Sequence, residues 1–114
     1  MSVCLFCKIV DRTIQSTIVH EDEQVLAFQD IHPQAPVHIL LIPKRHVQSV
    51  QELERDDAGL VGHLLQACVK VAKEKGIFES GYRIVTNSGP HAGQTVFHLH
   101  FHLLGGRPMA WPPG

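Results

Sequence analysis

In the stretch Val96-Phe97-His98-Leu99-His100-Phe101-His102-Leu103, apolar and polar residues alternate without a break from Phe97 to Leu103. Successive side chains of a β-strand point to opposite faces, so a strand over Val96–Leu104 sets His98, His100 and His102 on one face, about 6.6 Å apart. Phe97, Leu99, Phe101 and Leu103 are then expected to face the core. Working back from this strand, Ser88-Gly89-Pro90-His91-Ala92-Gly93 reads as a loop and Tyr82–Asn87 as the strand before it. Leu60, Val61, Leu64, Leu65, Cys68, Val69 and Ala72 follow the three-and-four spacing of an amphipathic helix, with Gly76 as its stop. Further upstream, His38–Ile42 reads as a buried strand entered from a two-proline loop, and Ser16–Glu21 and Val25–Gln29 as a pair of strands with Asp22 and Glu23 at their turn. Leu5–Val10 suits a short helix. Strands, one long helix and strands again predict an α+β domain with a mostly antiparallel sheet.

At 114 residues, 44% of them hydrophobic, the chain is one domain with material for a real core. Ten basic residues against eleven acidic ones give a formal charge of −1, without a block of like charge. That argues against nucleic acid as a partner and leaves a single nucleotide open. The longest apolar run, Ile39–Ile42, is far short of the ~20 residues of a membrane span, and no basic-then-apolar leader opens the sequence. Three cysteines are too few and too odd a number for a disulfide framework. The expectation is a soluble cytoplasmic protein with reduced thiols. Histidine is the anomaly, with nine copies.

Three imidazoles on one face admit two chemistries. Neutral imidazole binds zinc, but three same-face residues of one straight strand spread too far to meet a single ion easily at about 2.0–2.1 Å. Alternatively one neutral histidine attacks as a nucleophile while its neighbours orient it and bind charge. The preceding segment Ser88–Thr95 favours the second reading, since its glycines let backbone N–H groups approach an anion beside amide and hydroxyl donors. Cys4-Leu5-Phe6-Cys7 is a C-x-x-C pair that by itself fits a redox motif, half of a zinc site or two core thiols.

His98-Leu99-His100-Phe101-His102-Leu103-Leu104 resembles the signature of the histidine-triad (HIT) family of nucleotide hydrolases and transferases. Phe28–Pro36 followed by His38, Ile42-Pro43-Lys44, Gly81-Tyr82-Arg83, Asn87 and Gly93-Gln94-Thr95-Val96 extend the likeness over nearly the whole chain. Together with Leu104-Gly105-Gly106-Arg107 and Trp111-Pro112-Pro113-Gly114 they are similar to the Hint branch, the purine nucleoside phosphoramidases. The resemblance implies a HIT-like fold: a five-stranded antiparallel sheet with one long and one short helix, residues 1–114 forming one domain. It further implies a homodimer with sheets joined across the interface and a 105–114 tail reaching toward the partner subunit's site.

For mechanism, the resemblance implies that His100 attacks the α-phosphorus of an adenosine phosphoramidate or aminoacyl adenylate, and that water releases AMP from a nucleotidyl-histidine. His102 and Thr95 would hold the phosphate and assist the leaving group, and His38 would orient the nucleophile through a side-chain network. Asn87, Gly93 and Gln94 would lie at the phosphate and Asp30 at the ribose. Ile31 would enclose the base with Phe6, Ile9, Ile14 and Phe28. No catalytic cofactor is implied. In bacterial relatives of this type a structural zinc is held by four ligands, which fall here on Cys4, Cys7, His46 and His98. Thr95 stands where many Hint proteins carry Ser, Gln15 where Pro is common and His32 where Ser is frequent. His20, His63 and His91 are expected at the surface or in loops, and Cys68 in the core.

Overall fold

The computed structural model describes residues 4–114, so the first three residues of the expected 1–114 domain lie outside the described residues. Its elements are α1 (Leu5–Val10), β1 (Ile18–Glu21), β2 (Val25–Gln29), β3 (Val37–Pro43), α2 (Ala58–Glu74), β4 (Tyr82–Val85) and β5 (Phe101–Gly105), with three 3₁₀ turns between them. The strands form one antiparallel sheet in the order β1-β2-β3-β5-β4. This is the α+β architecture with one long and one short helix that the sequence predicts.

Central strands β2 and β3 are buried on both faces, which explains their unbroken apolar runs. Val25, Ala27, Ile39 and Leu41 pack with Leu64, Cys68 and Val71 of α2, and Leu99 and Leu103 join the same cluster. On the opposite face Leu26, Phe28, Leu40 and Ile42 pack with Phe6 and Ile9 of α1. Fully burying a side chain of this size contributes about 1.5–3 kcal/mol, so α2 is held by its Leu64–Ala72 stripe rather than by propensity alone. Gly76 follows the helix at φ +74°, the conformation its place as a stop requires. Gly105 meets another need: a Cβ there would lie 2.6 Å from the Ile77 side chain.

The final strand departs from expectation. It begins at Phe101 rather than Val96. In the β3–β5 register Leu41 stands opposite Phe101, so two residues further on Pro43 would face Leu99. Proline has no N–H to donate, and the ladder ends there. The Leu99 N–H instead donates to Val47 O at 2.6 Å. Freed from the pleat, Phe97 points outward and is 49% exposed, not in the core as alternation predicts. β1 and β4 are also shorter than expected, starting at Ile18 and ending at Val85.

The β1–β2 hairpin is tied to α2 by one carboxylate. Asp22 Oδ1 accepts from the Gln24 and Val25 N–H groups, both at 2.9 Å, and Oδ2 from Nε2 of His20 (3.2 Å) and His63 (2.8 Å). His20 and His63, expected at the surface, are thus structural partners, whereas His91 is exposed. Asp22→Ala is expected to cost about 2 kcal/mol, since several charge-assisted hydrogen bonds go at once. Urea unfolding should show a lower midpoint at unchanged m; a cost below about 0.5 kcal/mol would reduce the cluster to an ordinary surface pair.

Candidate active site and metal centre

The three histidines are set on the α1 face, but by different means. His102 lies on β5 opposite Leu40 of β3, and His38 of β3 is opposite Leu104, so His38 and His102 are diagonal neighbours on one face. Their rings meet with His38 Nε2 2.8 Å from His102 Nδ1. His98 and His100 precede the strand and are held by other contacts. The face is not open to solvent: His98, His100 and His38 are buried, and Phe6 of α1 stands edge-on to His100 at 5.1 Å between centroids.

Hydrogen-bond partners assign every proton of this array. The Gln34 N–H donates to His38 Nδ1 at 3.0 Å, so neutral His38 carries its proton on Nε2. That proton goes to His102 Nδ1, which leaves the His102 proton on Nε2. Asp30 Oδ2 lies 3.4 Å from His38 Nε2, a longer second acceptor for the same proton. Arg107 holds the Gln34 carbonyl at 2.8 Å. His100 donates from Nδ1 to the His98 carbonyl at 2.7 Å, which leaves a lone pair on Nε2. His98 donates from Nε2 to Pro43 O at 2.8 Å, which leaves its lone pair on Nδ1.

Burial keeps these rings neutral. It lowers His38 and His100 below the ordinary histidine value, partly opposed by Asp30 in the first and by the His98 carbonyl and Asp30 in the second. His102 falls furthest, to about 4, through burial and then through its neighbours His100 and His38.

A cavity of about 320 Å³ opens beside this array. Its walls include His100, His102, Thr95 and Asp30, and its apolar side is Phe6, Ile9, Ile14, Phe28 and Ile31. Ile31 stands at the rim, 84% exposed. Asp30 also caps its own turn, accepting from His32 N at 2.8 Å, and His32 itself lies exposed and lines the cavity. Asn87, Gly93 and Gln94 are not among the lining residues. The buried Gln94 amide clamps the loop: Oε1 accepts from Gly89 N (2.8 Å), and Nε2 donates to Gln48 O (2.8 Å) and Val96 O (3.1 Å). Its part is to hold Thr95 at the cavity wall. Gly93, at φ +87°, makes the turn that precedes it.

Cys4, Cys7, His46 and His98 converge from three separate parts of the chain, their ligand atoms all within 4.8 Å of one another. Sγ of Cys4 and Cys7 lie 3.4 and 3.5 Å from His98 Nδ1, Cys7 Sγ lies 3.3 Å from His46 Nδ1, and the two Nδ1 atoms are 3.2 Å apart. A tetrahedral zinc with ordinary bond lengths sets S and N about 3.6 Å apart and N and N about 3.3 Å apart, so the cluster fits the ion. Pro43 O fixes the His98 tautomer that ligation needs. A second convergence, Asp30 with His38 and His102, also falls within 4.8 Å. It does not suit a metal, because the Gln34 N–H occupies His38 Nδ1 and keeps the proton on Nε2, the atom that would have to ligate.

Fold and histidine array together define a histidine-triad protein. The HIT domain family model matches residues 11–109, and the chain belongs to this family. It is 53% identical over 110 residues to an uncharacterized HIT-like protein of Synechococcus elongatus, covering 96% of each chain. To the 14 kDa zinc-binding protein of Zea mays it is 50% identical over 115 residues, 99% of this chain and 89% of that one. A HIT family hydrolase from Legionella pneumophila superposes with a TM-score of 0.96 at 50% identity, covering 97% of this chain and 99% of that one. No helix among the described residues is long and apolar enough to cross a membrane.

Proposed function

We propose that this chain is a purine nucleoside phosphoramidase, a hydrolase that, through a nucleotidyl-histidine, cleaves the phosphorus–nitrogen bond of adenosine 5′-phosphoramidates and, with a carboxylate as leaving group, the phosphorus–oxygen bond of related aminoacyl adenylates. The observation that carries this reading is His100: a buried neutral imidazole on the cavity wall whose Nδ1 proton is tied to a carbonyl, so that Nε2 keeps its lone pair. In the first step Nε2 bonds to phosphorus as the P–N bond breaks, and the amine departs with a proton from solvent. In the second, water attacks phosphorus, the P–Nε2 bond breaks, and a proton returns to solvent with AMP. Splitting one displacement into two suits a positioned imidazole.

His102 Nε2–H and the Thr95 hydroxyl serve as donors to the phosphoryl oxygens and the leaving nitrogen. His38 acts through His102. Asp30 accepts from the ribose, the apolar wall takes the purine, and Asn87, Gly93 and Gln94 shape the phosphate loop. The L. pneumophila relative's description as a hydrolase agrees with this assignment.

Zinc at Cys4, Cys7, His46 and His98 supplies a structural tie, joining the N-terminal turn to the segment before β5, and leaves His100 to do the chemistry without a catalytic cofactor. The Z. mays relative is called zinc-binding. Thiolate ligation needs reduced cysteines, in keeping with a cytoplasmic site. A homodimer joined through edge strand β4 fits its place at the end of the sheet. The chain as one domain sends its 105–114 tail toward the partner subunit: Ala110 O is held by Arg83 at 2.9 Å, and the next residue, Trp111, is 82% exposed.

Incubation of the folded chain with adenosine 5′-phosphoramidate is expected to release AMP and ammonia in equal amounts. A folded chain that releases neither would rule out this activity.

A further inference from the structure

We propose that His98 is a positioning residue through which metal binding at the cysteine cluster sets the tautomer of the nucleophile; this rests on the reading of His100 as the nucleophile. Two groups of one residue are involved. The His98 ring points into the cluster, and its main-chain carbonyl accepts the His100 Nδ1 proton. If that carbonyl turns away, nothing obliges His100 to keep its proton on Nδ1, and the Nε2 tautomer has no lone pair to offer phosphorus.

What holds the carbonyl is unusual for a residue so near a sheet. Strand pairing begins only at Phe101, so no ladder bond fixes His98. Its neighbour Leu99 bonds to Val47 in the loop after β3, outside the sheet. The His98 ring is therefore its main anchor, fully buried, with Nε2 bonded to Pro43 O and Nδ1 facing Cys4, Cys7 and His46. Pro43 O fixes the Nε2 edge of the ring, while among the described residues the Nδ1 edge meets only the side chains of Cys4, Cys7 and His46. Ligation at Nδ1 adds a second fixed point across the ring, and with the attachment at Cβ these fix the ring plane and, through the side chain, the main chain that carries the carbonyl. The His38–His102 pair is anchored independently, by Gln34 N–H and by strand pairing within β3 and β5.

That independence provides the internal control. Full-length chain labelled with ¹⁵N-histidine is compared zinc-loaded, chelator-stripped, and as Cys7→Ser and His46→Gln, with zinc content read by mass spectrometry. Imidazole ¹⁵N shifts report the tautomer of each ring, and kcat and KM are measured on adenosine 5′-phosphoramidate. Loaded protein is expected to show His100 protonated on Nδ1 alone. On losing zinc, His100 should shift toward a mixture of tautomers while His102 keeps its signals, and kcat should fall about tenfold to a hundredfold with KM within about twofold.

Retention of a single His100 tautomer and full kcat in zinc-free folded protein overturns the coupling. Simultaneous collapse of the His38, His100 and His102 signals overturns it too, since the metal would then only hold the fold together. If the loaded chain proves inactive while the His100 signals alone respond to zinc, the coupling stands and the phosphoramidase reading is the one that fails.

Discussion

His100→Ala is expected to lower kcat for AMP release by roughly four orders of magnitude or more, because removing a nucleophile removes both steps of the proposed displacement. His100 is the imidazole on the cavity wall whose assigned tautomer leaves Nε2 open: His38 Nε2 and His102 Nε2 both carry protons, and His98 points away to Pro43 and the cysteines. The truncation opens a gap beside Phe6, which costs some stability but keeps the apolar layers that build the sheet. Circular dichroism should therefore match the wild type. Added imidazole is expected to restore part of the activity in the more open His100→Gly, since a small nucleophile can enter the vacated space. A His100→Ala rate within about tenfold of wild type would instead mean that water attacks phosphorus directly.

The second large effect is on stability. Burial holds His102 near 4 in the folded chain against an ordinary value of 6.5. The unfolded chain therefore takes up the proton first as pH falls, and stability is complete above pH 6.5 and declines as pH drops from 6.5 toward 4. Taken in full, that displacement corresponds to about 3 kcal/mol; His102 is only part-buried and is screened by solvent, so a loss of about 2 kcal/mol is expected. His38 is displaced in the same direction by its own burial and adds to the slope. Urea unfolding of chelator-treated protein at pH 7.5, 6, 5 and 4.5 isolates this from acid release of the metal. His102→Asn keeps an oxygen for the His38 proton and should flatten the profile; an equally steep profile in that variant would place the titration elsewhere. The same neutrality readies the array for nucleophilic work at pH 7.

The cysteine cluster and the histidine triad meet in one residue, so the two chemistries that the spacing of His98, His100 and His102 leaves open can coexist. A straight strand would have presented three equivalent imidazoles. Instead His98 faces the cysteines while His100 and His102 face the cavity, so the cluster that fits a metal and the proposed nucleophile lie side by side without sharing a ligand atom. The cause is Pro43, which ends the ladder at Leu41–Phe101 and lets the chain before β5 turn toward the loop that carries His46 and Val47.

Much of the fold is legible in local pattern because local pattern is what burial selects. The Leu64–Ala72 stripe writes α2, the unbroken runs Val25–Phe28 and Ile39–Ile42 write strands covered on both sides, and Gly76 writes a stop. The His-x-His-x-His spacing likewise marks a site by its pattern alone. Long-range relations have no such local signature. Nothing near Asp22 announces that His63, 41 residues away, bonds to it. Nothing near Gln34 says that its amide proton sets, through His38, the tautomer of His102. The roles of individual nitrogens, the early end of β5, the outward turn of Phe97 and the use of the Gln94 amide as a clamp were decided only when distant segments packed. A side chain's periodicity is fixed by its own backbone, whereas its protonation and partners are fixed by whatever the fold brings to within about 3 Å.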